Sequence, residues 1–112
     1  MKVTMRERDG VAILDLAGKF TIGSGDAAIR EAIQQCAQDG KIKILLNTIG
    51  VTTIDSSGIG ELVAGFTSVA NKGGSMKLVN LPPKLQDILS VTQLITVFET
   101  FEDEDEAVRS FA

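Results

Sequence analysis

Apolar and polar positions alternate with period two over Lys2–Arg8, with Val3 and Met5 on one side and Lys2, Thr4 and Arg6 on the other. Such alternation predicts a half-buried strand. Asp9-Gly10 follows, a two-residue hairpin signal. Val11–Ala17 (VAILDLA) is nearly all apolar and predicts the returning, more central strand. Gly18–Gly25 reads as a loop, with room for a short strand at Phe20–Ile22. Ile29, Ala32, Ile33, Cys36 and Ala37 then recur at helical spacing as one apolar stripe. Ser24 or Asp26 can cap the start of this helix, and Gly40 suits its end.

Lys41–Asn47 (KIKILLN) predicts a buried strand, and Thr48–Ile54 a connection through Gly50. A second helix carries Ile59, Leu62, Val63, Phe66, Val69 and Ala70 on one stripe and stops at Gly73-Gly74. Ser75–Asn80 predicts another strand. Pro82-Pro83 opens a short third helix to about Val91, with Pro83 where a missing N–H costs least. Ile95–Phe98 fits a last strand. A fourth helix takes the acids Glu102–Glu106 in its first turn, where they favour the dipole, and buries Ala107, Val108 and Phe111. Strands alternating with helices predict one α/β domain over residues 1–112. Its sheet is mixed and mostly parallel, of four to five strands, with an N-terminal β-hairpin and about four helices.

Composition narrows the chemistry. Lys+Arg is 11 and Asp+Glu 15, a net charge of −4, and there is no Trp or Tyr. An acidic chain of this kind is a poor nucleic-acid binder. The absence of histidine removes Ser-His-Asp and Cys-His catalysis and His-ligated zinc. A single cysteine, Cys36, allows no internal disulfide, and its place on the apolar stripe suits an inert core thiol. Phe66, Phe98 and Phe111 also suit the core. No apolar run is long enough to insert in a membrane, and no export signal opens the chain, so the expected compartment is the cytoplasm. Neither Gly23-Ser24-Gly25 nor Gly58-Ile59-Gly60 completes a dinucleotide fingerprint, and Asn71–Ser75 is not a phosphate loop. The acidic run Glu102–Glu106 lacks the spacing of a calcium loop and suits a solvated helix start. No cofactor or metal is expected.

Candidate chemistry concentrates in Asp55-Ser56-Ser57-Gly58-Ile59-Gly60, at the start of the second helix. Loops after strand ends carry the sites of α/β sheets. A helix start also offers unpaired N–H groups and partial positive charge to a phosphate on a serine there. Asp and Ser are equally the favoured helix caps, and a cap needs no function. Ser57 suits a hydrogen bond to backbone at the turn. Asp55 suits either a cap or an orienter of the Ser56 hydroxyl. Ile59 suits the core or an interface.

The run Ile54–Leu62 (IDSSGIGEL) resembles the signature of STAS domains, the bacterial anti-sigma-factor antagonists. Gly18–Gly23, Ile44–Asn47, Gly73–Leu78 and Val97–Glu99 are similar to the pattern of the same family. The resemblance implies a non-enzymatic binding module switched by phosphorylation of Ser56. Its partners would be an anti-sigma factor that is also an ATP-dependent serine kinase, and a metal-dependent serine phosphatase. Unmodified protein would sequester the anti-sigma factor and release the sigma factor for transcription. The implied partner surface is Asp55, Ser56, Ser57, Gly58, Ile59 and Gly60, with Thr21, Ile22 and Gly23 as its neighbours. Many members carry an aspartate where this chain has Thr21–Gly23, and another where Asn47 stands; both changes remove negative charge from the expected site. Other members are unphosphorylated adaptors or scaffold subunits, in signalling complexes or lipid-transport systems, and that alternative remains open here.

Overall fold

Continuous apolar runs over Val11–Ala17 and Lys41–Asn47 require cover on both faces of the sheet, and the fold supplies it. In a computed structural model describing residues 1–112, five strands lie in the order β1-β2-β3-β4-β5. They are β1 (Lys2–Arg8), β2 (Val11–Phe20), β3 (Lys43–Ile54), β4 (Ser75–Val79) and β5 (Thr100–Phe101). Only the β1–β2 hairpin is antiparallel. Its turn places Asp9 and Gly10 at φ of 51° and 80°, the mirror-image geometry that matches strand twist. The helices are α1 (Asp26–Gln38), α2 (Ser56–Asn71), α3 (Pro83–Val91) and α4 (Glu104–Arg109).

Alternate residues of the central strands feed two cores. Ala12, Leu14, Leu16, Ile44, Leu46, Met76 and Leu78 pack with Ile29, Ile33, Cys36, Leu62, Val69, Leu85, Leu89 and Phe98. Val11, Ile13, Leu45 and Val79 meet Ala107 and Val108 of α4 on the other face. Cys36 is buried, and burial pushes its thiol pKa up. Phe66 is half-buried with its ring edge-to-face on Phe98 at 5.2 Å, and Phe111 is half-buried beside α4.

Several boundaries differ from those the sequence predicts. Gly18–Phe20 is not loop but the end of β2, and Thr48–Ile54 is not a connection but the second half of β3. Register shifts between Asp15 and Ala17, and again between Gly18 and Lys19, break the alternation and hide this extension. Thr48, fully buried in the bulged region, donates its hydroxyl to the Val79 and Asn80 carbonyls at 3.2 Å. The last strand is not Ile95–Phe98. Leu94–Thr96 form a 3₁₀ turn, Phe98 plugs the core, and β5 pairs with Leu78–Val79 instead. On α2 the buried line is Gly58, Leu62, Gly65 and Val69, so Val63 and Ala70 face solvent. The N-cap position of α1 is Gly25, which has no side chain to offer; Asp26 in the first turn instead takes the free Ala27 amide on its carboxylate at 2.9 Å.

Charge pairs fasten α4 to the hairpin. Arg6 Nε donates to Asp15 at 2.7 Å and its Nη1 to Glu104 at 3.0 Å; Arg8 donates to Glu104 at 2.8 Å and also holds Asp105. The Arg6 guanidinium holds the carboxyls of Asp15 and Glu104 below their usual range. Lys77, only 9% exposed, donates to the carbonyl and hydroxyl of Ser110 at 3.0 Å and pairs with Glu99. A buried ammonium is therefore satisfied, and it closes the C-terminal end of α4.

Backbone contact at Phe20 fixes where α1 and α2 begin. A Cβ on Gly58 would lie 2.3 Å from the Phe20 carbonyl oxygen, and one on Gly25 would lie 2.4 Å from the Lys19 carbonyl oxygen. Both helix starts press directly on the end of β2, which only glycine permits. At Gly60 a Cβ would meet nothing within 4 Å.

Two expectations follow from these contacts. Gly58→Ala should lower the melting temperature by roughly 5–15 °C through overpacking, despite the better helix propensity of alanine. Gly60→Ala should raise it by a few degrees, for a gain of up to about 1 kcal/mol; thermal unfolding of the pair checks both. Depressed carboxyl pKa values make the Arg6 contribution complete near neutral pH and lose it as pH falls through them. Arg6→Ala should therefore destabilise at about pH 7, and its melting-temperature gap from the parent should close towards about pH 2.

Candidate functional site

Asp55 stands between the end of β3 and the first turn of α2 and is the N-cap of that helix. Its Oδ1 accepts from the Gly58 amide at 3.0 Å, and its Oδ2 accepts from the Ile22 amide at 3.1 Å. Its own amide donates to the Phe20 carbonyl at 3.4 Å. One side chain thus satisfies an orphan helix donor and ties the loop after β2 to the start of α2. The Gly58 amide, followed by that of Ile22, holds the Asp55 carboxyl below the usual carboxylate range.

Asp26 completes the join from the α1 side. Its Oδ1 accepts from the amides of Ala27 at 2.9 Å and Gly23 at 3.1 Å, and its Oδ2 accepts from the Ser57 hydroxyl at 3.3 Å. These bonds, that from Ala27 foremost, lower the Asp26 pKa. Ser57 therefore bonds a side chain of α1 and not backbone at its own turn. The sequence offers Asp26 only as a possible cap; its role as strut becomes visible once α1 and α2 lie side by side.

Ser56 is different. It occupies the first helical position of α2, is exposed, and its hydroxyl takes no part in the hydrogen bonds that bind Asp55, Ser57 and Asp26. Behind it Gly60, Val63, Ala64 and Thr67 continue the exposed side of α2. Ile22, 74% exposed, stands on the loop tied to Asp55. Ile59 is half-buried against the core, so it serves both as packing and as rim. Val63, which its spacing puts in the core stripe, is 37% exposed. The structure thus brings Thr21–Gly23 and Asp55–Gly60 together.

Asn47 does not join them. It lies seven residues before Ile54 in the extended β3, roughly 20 Å back along the strand. There its amide donates to Asp15 at 2.9 Å, and its carbonyl oxygen accepts from Asn80 at 3.3 Å. Its neutral amide belongs to the packing around Asp15 and Asn80 and not to the surroundings of Ser56, contrary to the sequence expectation. At the Ser56 end lie the Asp55 and Asp26 carboxylates, the Glu61–Arg30 pair at 3.0 Å, Lys19 opposite Thr53, and the Met1 ammonium, which donates to the Ser24 carbonyl at 3.0 Å. A phosphate on Ser56 would find the amides and dipole of a helix start but no lysine or arginine in the hydrogen bonds of Asp55, Asp26 and Ser57. No group of three or more Cys, Asp or Glu side chains converges to hold a metal ion, and no helix is long and apolar enough to cross a membrane.

Comparison with known proteins agrees with this architecture. The chain is 25% identical over 99 residues to the anti-sigma-B factor antagonist of Bacillus subtilis (strain 168), covering 88% of this chain and 89% of that protein. A solved structure of a Thermotoga maritima protein superposes with a TM-score of 0.90 at 25% identity, over 97% of this chain and 93% of that one. The Bacillus cell-fate determinant SpoIIAA, solved in its phosphorylated form, shares the fold with a TM-score of 0.76 at 18% identity, over 99% of this chain and 100% of that one. The family model for the STAS domain matches residues 2–107, and the chain belongs to that family.

Proposed function

We propose that this chain is a cytoplasmic antagonist that binds an anti-sigma factor while Ser56 is unmodified and releases it when Ser56 is phosphorylated. The anti-sigma factor is itself the ATP-dependent serine kinase, and a metal-dependent phosphatase resets the switch. The chain contributes no catalysis of its own. The observation that carries this reading is the free Ser56 hydroxyl at the first position of α2, beside side chains that are all engaged in fixing the turn.

The physical consequence of modification is local. Phosphate adds about −1.5 to −2 charges next to Asp55, a carboxylate already held ionised. The cap bond to Gly58 and the strut to Ile22 use oxygens of Asp55, so the added group need not break either. It adds charge and bulk at the exposed start of α2, next to the loop that carries Ile22, where a docked partner would have to desolvate it. Asp55 acts as cap and strut in this reading. Recognition rests on the exposed small and apolar residues around Ser56.

The test pairs the purified chain with the histidine-kinase-like ATPase encoded beside it or elsewhere in the same genome. Incubation with ATP should add about 80 Da, one phosphate, to the wild type and none to Ser56→Ala. The phosphorylated chain should bind the kinase roughly a hundredfold or more weakly, as expected for burying an unpaired charge. Unchanged mass together with equal binding of wild type and Ser56→Ala would replace this reading with that of an unphosphorylated adaptor.

A further inference from the structure

The acidic run Glu102–Glu106 is divided among three tasks. Asp103 caps α4, its carboxylate accepting from the Glu106 amide at 3.2 Å. Glu104 and Asp105 turn to the hairpin and hold Arg6 and Arg8. Glu102 and Glu106 enter none of the ion pairs of the chain. They stand on the wall of an open cleft of about 610 Å³. The cleft lies past the carboxyl ends of β4 and β5.

The cleft is more than a patch of acid. Ile49, Leu81 and Phe101 give it an apolar surface, and Ile49 is 65% exposed although it belongs to β3. No lysine or arginine lines it, so every formal charge on its walls is negative. Asn80 forms a fixed corner. It sits at φ of 59°, donates its amide to Asn47 at 3.3 Å, and accepts at its carbonyl from the buried Thr48 hydroxyl at 3.2 Å. The volume falls in the range of small-molecule sites.

We propose that this cleft binds a small organic cation, an ammonium or guanidinium on an apolar stem. Glu102 and Glu106 face the cationic head, and the stem lies against Ile49, Leu81 and Phe101. An aromatic ring among the apolar contacts adds attraction for the cation. Anions are repelled by both carboxylates. A bare metal ion would lack ligands, since two carboxylates over an apolar surface leave its coordination incomplete. The site owes nothing to Ser56 and stands whether or not the phosphorylation switch does.

Titration of the ¹⁵N-labelled full chain with phenethylammonium chloride at low ionic strength tests this. Amide shifts should saturate and stay within residues 49, 80–81, 86 and 100–106. The double variant Glu102→Gln/Glu106→Gln, with an unchanged circular dichroism spectrum, should bind roughly tenfold more weakly. The uncharged analogue 2-phenylethanol should lose as much on the wild type, and Ser56→Ala should change nothing. Shifts that do not saturate or spread over the whole surface would overturn the proposal. So would equal binding by the double variant, or equal binding of the neutral analogue.

Discussion

Everything at the Ser56 end of this molecule depends on how closely two helix starts approach the last residues of β2. Gly58 lies against the Phe20 carbonyl and Gly25 against that of Lys19, with no space for a side chain at either position. That contact sets the depth of α1 and α2 against the sheet. Asp55 and Asp26 then complete the join with hydrogen bonds that neither helix could make alone. What is left over is Ser56, the one hydroxyl of the turn with no structural duty. A rigid frame around a free group is what a modification site requires if the modification is to be read by a partner without unfolding its carrier.

The same arrangement explains why the two serines of the signature are not equivalent. Ser57 spends its hydroxyl on Asp26 and holds α2 to α1. Ser56, one residue earlier on the helix, takes no part in that contact and remains exposed. Distinct electrostatics surround the two ends of the sheet. Beside Ser56 the Asp55 and Asp26 carboxylates are spent on backbone amides and Ser57, whereas beside α4 Arg6 and Arg8 pair with Glu104 and Asp105 and leave Glu102 and Glu106 unpaired. The acidic chain is therefore not uniformly acidic in space.

Much of this was legible in the residues. The hairpin, the parallel order of strands and four helices follow from periodicity and turn chemistry, because those elements bury regular stripes. The second half of β3 was not, because its bulges shift the phase of alternation and leave Thr48 buried with a backbone partner. Nor was β5, two residues long and defined by pairing with Leu78–Val79 more than by its own pattern. The position of Asp55 and Ser56 at the start of the second helix followed from sequence order, and the choice of Ser56 from the family resemblance. Asp26, Val63 and the remoteness of Asn47 did not follow, since each depends on which elements become neighbours.

Amide hydrogen exchange on the unmodified and Ser56-phosphorylated chain is the most direct measurement of the central claim. Changes in protection should be confined to residues 21–26 and 54–60, with β2, β3 and β4 protected alike in both forms. A general loss of protection across the sheet on phosphorylation would contradict the account, since the charge would then act by loosening the fold and not by altering its surface.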